Sequence, residues 1–230
     1  MPDEVSAVHL LLTGDPALLA IVRLSLMVTL SAVLLAALIG VPFGALIALI
    51  RFPCREGIIV MLNALMGLPP VVVGLVVFLA LSRSGPLGSW ALLFTPKAMV
   101  IAQTVLVAPI IAALTRQTIE DLWIEYRDEM SAMNVGPAGR VMTLIWDGRF
   151  SLVTALLAGF GRAAAEVGAI IIVGGNIEGF TRTMTTAIAL ETSKGDLPLA
   201  VGLGMVLIAI VVAVNALAWT ARRAGERMAA

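Results

Sequence analysis

The chain carries one pair of opposite charges inside a stretch that is otherwise apolar. Arg162 and Glu166 are four residues apart within residues 150–177, so a helix would place both on one face. Each charge would cost about 2.5–3.5 kcal/mol at the centre of an isolated membrane helix. We therefore expect the two side chains to pair and to face away from lipid. Two interpretations stay open, a neutralised structural pair and a gate or contact along a transport pathway.

A second set of polar and helix-breaking residues lies within residues 57–82. Asn63 precedes the consecutive prolines Pro69 and Pro70, which remove two amide donors and should bend a helix sharply. Broken helices are tolerated in a bilayer where they line a cavity or are buried in protein. The break is therefore either a structural kink or part of a pathway.

The loop at residues 174–186 is rich in glycine, asparagine and hydroxyl side chains. Such a loop offers hydrogen-bond donors that suit an oxyanion or a docking protein, and its composition fits an ordinary polar loop equally well. The candidate contacts for an anion are Asn63, Arg162 and Asn176.

Residues that support metal binding or covalent catalysis are scarce. The chain has one histidine, His9, and one cysteine, Cys54, so neither a histidine-based metal cluster nor an internal disulfide is expected. The apolar stretches contain no histidine or aspartate and a single glutamate, which argues against a membrane enzyme. Lys97 and Lys194 are the only lysines, and neither lies in a Gly-x-x-x-x-Gly-Lys phosphate-binding motif. We expect no cofactor and no metal site.

The composition is that of a membrane protein. Of the 230 residues 60% are hydrophobic and 13% are charged, against about 25% charged residues in soluble domains, and the zero net charge gives no indication of nucleic-acid binding. A spanning helix needs about 20 mostly apolar residues. We predict an all-α membrane protein that forms a single domain over residues 1–230. The five predicted spans are residues 24–50, 57–82, 98–115, 150–177 and 197–221.

Positive charges predict the orientation. The segments 51–56 and 116–149 and the C-terminal tail share one side and carry nine arginines, whereas the other side carries five Lys and Arg residues. The richer side is expected to be cytoplasmic, which puts the N-terminus outside and the C-terminus inside. The first sixteen residues contain no Lys or Arg, so we expect the first span to remain in the mature protein.

Small residues predict close helix packing. Gly40 and Gly44 flank Pro42 in the first span, which indicates a packing kink or a hinge. Gly161 and Ala165 have the same spacing in the fourth span, which we expect to lie in the centre of the helix bundle.

The polar segment 116–149 interrupts the apolar chain. Leu122, Trp123, Tyr126, Met130 and Met133 recur at three- and four-residue spacing, which predicts an amphipathic helix. Gly136 is expected to cap it, Pro137 to stop it, and residues 138–146 to form a second short helix. Such a helix–glycine–helix unit could insert into a groove on a soluble partner, or it could lie on the membrane surface without one.

The sequence around this predicted turn resembles a known motif. Residues 131–136 resemble the Glu-Ala-Ala-x-x-x-Gly cytoplasmic loop in permease subunits of bacterial ABC importers. Gly136 falls on the motif glycine and Ala132 on its second alanine. Ser131 replaces the first alanine, and Met130 occupies the glutamate position, with Glu129 one residue earlier.

Three further segments carry the resemblance to oxyanion importers. Two of these segments are similar to the permeases of oxyanion importers. They are Gly-Phe-Gly-Arg-Ala-Ala-Ala-Glu-Val-Gly-Ala at 159–169 and Val-Gly-Gly-Asn-Ile at 173–177. The third segment resembles the tungstate-type branch, which is related to molybdate and sulfate permeases. It reads Met-Thr-Thr-Ala-Ile-Ala-Leu-Glu-Thr-Ser-Lys-Gly-Asp at 184–196. Trp-Asp-Gly-Arg-Phe at 146–150 stands where that branch ends its loop without the usual Leu-Pro.

This resemblance implies the fold, the partners and the site. It implies a type I importer permease with a MetI-like fold, a homodimer in a bacterial or archaeal cell (inner) membrane, surrounded by lipid. Separate ABC ATPase subunits would hold ATP and Mg²⁺, so this chain itself is not expected to be an enzyme, and an extracytoplasmic binding protein would deliver the anion, tungstate foremost and molybdate next. The expected coupling-loop residues are Glu125, Glu129, Met130, Ser131, Ala132, Gly136 and Pro137. The expected pathway residues are Asn63, Pro69, Pro70, Arg162, Glu166 and Asn176.

A transporter of another class remains as the alternative. A secondary transporter or channel driven by an ion gradient would use Arg162 and Glu166 as a proton relay.

Overall fold

The computed structural model describes residues 16–229, and within that range every regular element is helical. Side chains are described as far as Ala221 and at Arg223. The predicted outside location of the N-terminus concerns residues that the structure does not describe. The same holds for the side chains of Arg222 and Arg227, which entered the charge count. The helices are α1 Pro16–Leu49, α2 Arg55–Met66, α3 Pro70–Leu81, α4 Pro96–Ala132, α5 Pro137–Asp147, α6 Arg149–Ala164, α7 Gly168–Gly174, α8 Met184–Lys194 and α9 Leu197–Ala229, with one 3₁₀ turn at Gly88–Trp90.

Three of the described helices are long and apolar enough to cross a membrane, and the number rises to five if two bent pairs each count as one span. The long helices are α1, α4 and the Leu197–Ala221 part of α9. They correspond to the first, third and fifth predicted spans. However, α1 begins at Pro16 rather than at residue 24, and α4 continues to Ala132 rather than ending at residue 115.

The second predicted span is broken. The axes of α2 and α3 meet at 101° across Gly67–Pro69. Pro69 has extended backbone angles and Pro70 is the first residue of α3, where a missing amide donor costs no helical hydrogen bond. The expected sharp bend at the two prolines is confirmed.

The fourth predicted span, residues 150–177, is not one helix. The helix α6 ends at Ala164, the chain leaves helical geometry at residues 165–167, and the seven-residue α7 follows. Because α6 has 16 residues, it rises only about 24 Å, which is less than the roughly 30 Å of a bilayer core. At its other end α6 meets α5 at 73°.

The helices α1 and α4 pack closely through two glycines. A Cβ on Gly40 would lie 3.0 Å from the Ala108 carbonyl oxygen, and one on Gly44 would overlap the Ala112 carbonyl oxygen. The predicted close approach at these glycines is confirmed. In the fourth predicted span, a Cβ at Gly161 would meet open space, whereas a Cβ at Gly159 would lie 2.8 Å from the Val107 side chain and one at Gly168 would lie 2.9 Å from the Val71 side chain.

We predict that Gly44→Ala lowers the free energy of unfolding by about 1–3 kcal/mol, because the added methyl group meets backbone that cannot move aside. The measurement is denaturant unfolding in detergent micelles. Gly204→Ala is the matched control, since a Cβ there meets open space and alanine favours the helix by up to about 1 kcal/mol. Unchanged stability of Gly44→Ala would contradict the close contact of α1 and α4.

Candidate functional site

The polar segment is a helical hairpin that grows directly out of a membrane-length helix. α4 has 37 residues, so it is about 55 Å long and extends well beyond a bilayer core of about 30 Å. The segment predicted as a separate loop is therefore the second half of α4 followed by α5. We call residues 120–147 the hairpin. The first arm of the hairpin and the apolar half of α4 therefore belong to one continuous helix.

The turn of the hairpin lies at residues 133–136. Met133 caps α4, Asn134 has a left-handed φ of 57°, and Gly136 precedes Pro137, the first residue of α5. The sequence had predicted Gly136 as the C-terminal cap of the first helix. It is instead the N-cap of the second, with φ −68° and ψ 162°, which any L-residue can adopt. The predicted second helix, residues 138–146, is confirmed as α5.

The hairpin has its own apolar core. Ile119, Met130 and Leu144 are buried against Ala45 and Ala48 of α1. The glutamate position of the importer motif is thus taken by a methionine that is only 4% exposed. The predicted apolar stripe is confirmed for four of its residues. It is wrong for Met133, which is 69% exposed.

Arg140 holds the two arms of the hairpin together. Its Nε donates a hydrogen bond of 2.8 Å to the Val135 carbonyl, and its guanidinium lies 5.2 Å from the ring centroid of Trp123. The cation–π contact and the hydrogen bond fix α5 against α4 close to the turn. The hairpin is therefore a packed unit rather than two loosely joined helices.

The outer surface of the hairpin is acidic. Glu125, Asp128 and Glu129 are exposed, and Glu125 and Glu129 are one helical turn apart on the same face. The nearby Glu125 carboxylate, with smaller contributions from burial, Asp147 and Glu129, raises the pKa of Tyr126. The remaining predicted loop residues, Ser131, Ala132, Gly136 and Pro137, are also exposed around the turn.

Side chains from other parts of the chain bond the backbone around the break between α6 and α7, where Glu166 is buried and Ala165 is exposed. Gln103 of α4 donates to the Ala163 carbonyl at 2.9 Å, and Thr185 donates to the Glu166 carbonyl at 2.9 Å. The Glu166 carboxylate accepts from the Ala169 amide at 3.0 Å. These three bonds replace those that the interrupted helix loses, as a helix break inside a bilayer requires.

The predicted pair of Arg162 and Glu166 forms across this break. An Arg162 Nη1 to Glu166 Oε2 distance of 3.5 Å joins them. Their environments differ, because the Glu166 side chain is 2% exposed whereas that of Arg162 is 32% exposed. Both carboxylate oxygens of Glu166 thus have a partner within the fold, whereas part of the Arg162 side chain is exposed.

The two helix breaks lie next to each other. A Cβ on Gly168, which begins α7, would be 2.9 Å from the Val71 side chain at the start of α3 and 3.7 Å from Glu166 Oε1. The structure therefore brings the break that contains Pro69 and Pro70 beside the break that contains Glu166.

The structure describes no hydrogen bond that joins Asn63 or Asn176 to the two helix breaks. Asn63 lies on the exposed side of α2. Asn176 lies beyond the far end of α7, where its Nδ2 donates to the Thr186 carbonyl at 3.4 Å. The structure gives Asn176 a role in holding the loop.

Most hydroxyl groups of the 174–186 loop serve the fold. Thr181 donates to the Gly174 carbonyl at 2.6 Å and accepts from the Ile177 amide, and Thr183 and Thr186 form a capping box at the start of α8. Ser25 of α1 accepts from the Met184 amide at 2.8 Å. These hydroxyl groups are buried and bonded, so the loop is an ordered structural element.

Sequence reasoning missed an ion-pair cluster at the base of the hairpin. Glu120 contacts Arg116 through one carboxylate oxygen and Arg55 Nη2 at 2.9 Å through the other. Arg55 also donates from Nε to the Ile47 carbonyl at 2.9 Å, near the end of α1. The four-residue spacing of Arg116 and Glu120 was a visible signal, whereas the contribution of Arg55 depends on tertiary structure.

Comparisons with known proteins identify relatives over nearly the whole chain. It is 41% identical over 205 residues to a probable anion ABC transporter permease of Haloferax volcanii, with 87% of this chain and 88% of that protein covered. It is 39% identical over 215 residues to the tungstate uptake system permease protein TupB of Peptoclostridium acidaminophilum, with 94% of each chain covered.

TupB of Campylobacter jejuni is 35% identical to it over 209 residues, with 91% of this chain and 87% of that protein covered. The chain matches no family model. It is a multi-pass membrane protein, and the identity and coverage of these relatives show that it belongs to the family of anion ABC transporter permeases that includes the tungstate uptake permeases.

Proposed function

We propose that this chain is the transmembrane subunit of an ATP-driven importer that moves a tetrahedral oxyanion, tungstate foremost and molybdate next, into the cytoplasm. The proposal depends on the hairpin, which lies where the permeases of ABC importers have the cytoplasmic loop that contacts the ATPase. It is packed, continuous with α4 and exposed at its acidic tip. Family membership supplies the anion class, since two of the relatives are named tungstate uptake permeases.

The working assembly contains other chains. Two copies of this permease form a homodimer in the cell membrane, each with five spans in a MetI-like arrangement, the N-terminus outside and the C-terminus inside. A cytoplasmic ABC ATPase binds the hairpins and carries ATP and Mg²⁺, and an extracytoplasmic protein delivers the anion. This division follows from the kind of protein the relatives are named as.

The hairpin transmits force in this proposal. The acidic residues Glu125 and Glu129 meet a basic surface on the ATPase, and the turn around Gly136 inserts into it. Because the hairpin core includes Ala45 and Ala48, movement of the hairpin carries α1 with α4. The apolar ends of both helices then shift as a unit, which fits rigid-body alternating access.

The anion pathway passes the adjacent helix breaks in this proposal. Arg162 presents a partly exposed cation beside them, and its charge is balanced by Glu166 from the buried side. An oxyanion passing there would meet the edge of one guanidinium, which offers paired N–H donors.

Reconstitution in proteoliposomes tests the function as a whole. Uptake of tungstate is expected to require the permease, the ATPase, ATP and the binding protein together. Uptake that persists without the ATPase and follows an imposed ion gradient would support the secondary transporter instead.

Surface labelling tests the orientation. We predict that Ser131→Cys, at the hairpin tip, resists a membrane-impermeant thiol reagent in intact cells, whereas Ser89→Cys, in the loop between α3 and α4, reacts. Both serines are exposed, and both variants are made in a Cys54→Ser background. The proposed orientation fails if Ser131→Cys is labelled in intact cells and Ser89→Cys is not.

Gly136→Leu separates docking from folding. A side chain at Gly136 meets open space and the backbone angles suit any L-residue, so we expect stability to stay within about 0.5 kcal/mol. Affinity for the ATPase should fall about tenfold or more, because the leucine would occupy space inside the partner's groove. Binding of the purified subunits measures this.

Gly57→Leu is the control for that experiment, since a Cβ there also meets open space and Gly57 lies outside the hairpin turn. Wild-type affinity of Gly136→Leu would show that the turn is not inserted into the partner.

Arg162 and Glu166 are tested as a double-mutant cycle. We predict that Arg162→Gln slows uptake by about tenfold or more and lowers the melting temperature, because Glu166 is left buried without its cation. Adding Glu166→Gln removes both charges and should restore stability without restoring uptake. Recovery of uptake in the double variant would mean that the pair is purely structural.

A further inference from the structure

The ion-pair cluster at the base of the hairpin joins two helices, α4 and α2, at one carboxylate. One oxygen of Glu120 is bound by Arg116 of the same helix, and the other lies 2.9 Å from Nη2 of Arg55 at the start of α2. All three side chains are at least two-thirds buried. Glu120 stands where α4 passes from its apolar half into the hairpin.

Arg55 extends this connection to the end of α1. Its Nε donates to the Ile47 carbonyl at 2.9 Å and its Nη2 reaches the Ala48 carbonyl at 3.4 Å. Both carbonyls belong to the last turn of α1, which lacks helical donors. The remaining nitrogen, Nη1, lies 3.2 Å from Glu56, which is almost fully exposed.

The turn between α1 and α2 depends on this anchoring. Cys54, directly before Arg55, has a left-handed φ of 68°, which is strained for a residue with a Cβ. Surrounding contacts must hold such a conformation in place, and the Arg55 side chain supplies them on both sides of the turn. The joint between α1 and α2 is thus held by Glu120 of α4 through Arg55.

We propose that Glu120 is a positioning residue that passes hairpin movement to α2 and to the break between α2 and α3. This inference rests on the proposed function. Without Glu120, hairpin movement would reach α1 and α4 through apolar packing, but α2 would lose the polar link between its first turn and the hairpin base. The ATPase would still bind and hydrolyse ATP, and less of that hydrolysis would move the anion.

The test compares Glu120→Gln with wild-type permease in the assembled importer, in proteoliposomes. The amide keeps the size and one acceptor of Glu120 and removes the charge that holds two arginines. We expect at least about fivefold more ATP hydrolysed per anion transported, with unchanged affinity for the ATPase. Glu120→Asp, which keeps the charge, should recover part of the wild-type ratio.

Asp121→Asn is the matched control, because it removes a neighbouring exposed carboxylate outside the cluster and should keep the wild-type ratio. If Glu120→Gln does not assemble, Arg55→Lys takes its place. Arg55 reaches the Ile47 carbonyl and Glu120 from different nitrogens, whereas lysine carries all its donors on one nitrogen, so the link should weaken and the ratio should rise as well.

A wild-type ratio of ATP to anion in an assembled Glu120→Gln importer would overturn the proposal. So would a rise of the same size in Asp121→Asn. Failure of the proposed function looks different, because wild-type permease itself would then show no uptake that depends on the ATPase.

Discussion

The close contact between α1 and α4 is the constraint on which the rest of the structure depends. Gly40 and Gly44 allow the two backbones to approach until no side chain fits between them. The same pair of helices stays in contact beyond the apolar region, where Ala45 and Ala48 enter the hairpin core. Small residues thus form one face of α1 from its middle to its end. The hairpin cannot tilt away from α1 without breaking this packing.

The break between α6 and α7 is fixed by hydrogen bonds, two of which come from distant parts of the chain. Gln103 and Thr185 bond the carbonyls at the α6–α7 break, and the Glu166 carboxylate bonds an amide of α7. A backbone group in a bilayer cannot fall back on water, so these bonds are costly to lose. The α6–α7 break therefore moves together with the helices that bond it. Transport by rocking of whole helices suits this arrangement better than straightening of a bent one.

Features set by local chemistry could be predicted from the sequence. Pro69 and Pro70 bend the second span because proline removes an amide donor wherever it stands. Asp196 caps α9 through a side chain of the type that favours helix starts, accepting from the Leu199 amide at 3.2 Å. The break at residues 165–167 could not be predicted in this way. It contains no proline, and the side chains that make it tolerable lie 60 residues before it and 19 residues after it.

Two further differences have the same origin. The sequence predicts that the third span ends at the last charge-free residue. A helix, however, has no physical reason to end where charges begin. α4 continues because the polar half buries Ile119 and Met130 against α1 and α5. The ion pair of Glu120 and Arg55 joins residues 65 positions apart, and only the folded chain shows it.

The methionine at the glutamate position of the importer motif shows how the hairpin divides its tasks. Met130 is buried among apolar side chains, where an ionised carboxylate would lose its hydration. The position therefore serves the internal packing of the hairpin, and any acidic contact with a partner has to come from elsewhere. Glu129 and Glu125 are exposed on one face, where the Glu125 carboxylate, with a smaller contribution from Glu129, raises the pKa of Tyr126. In this chain the stiffness of the hairpin and its charge thus reside on different residues, so each can be altered without the other.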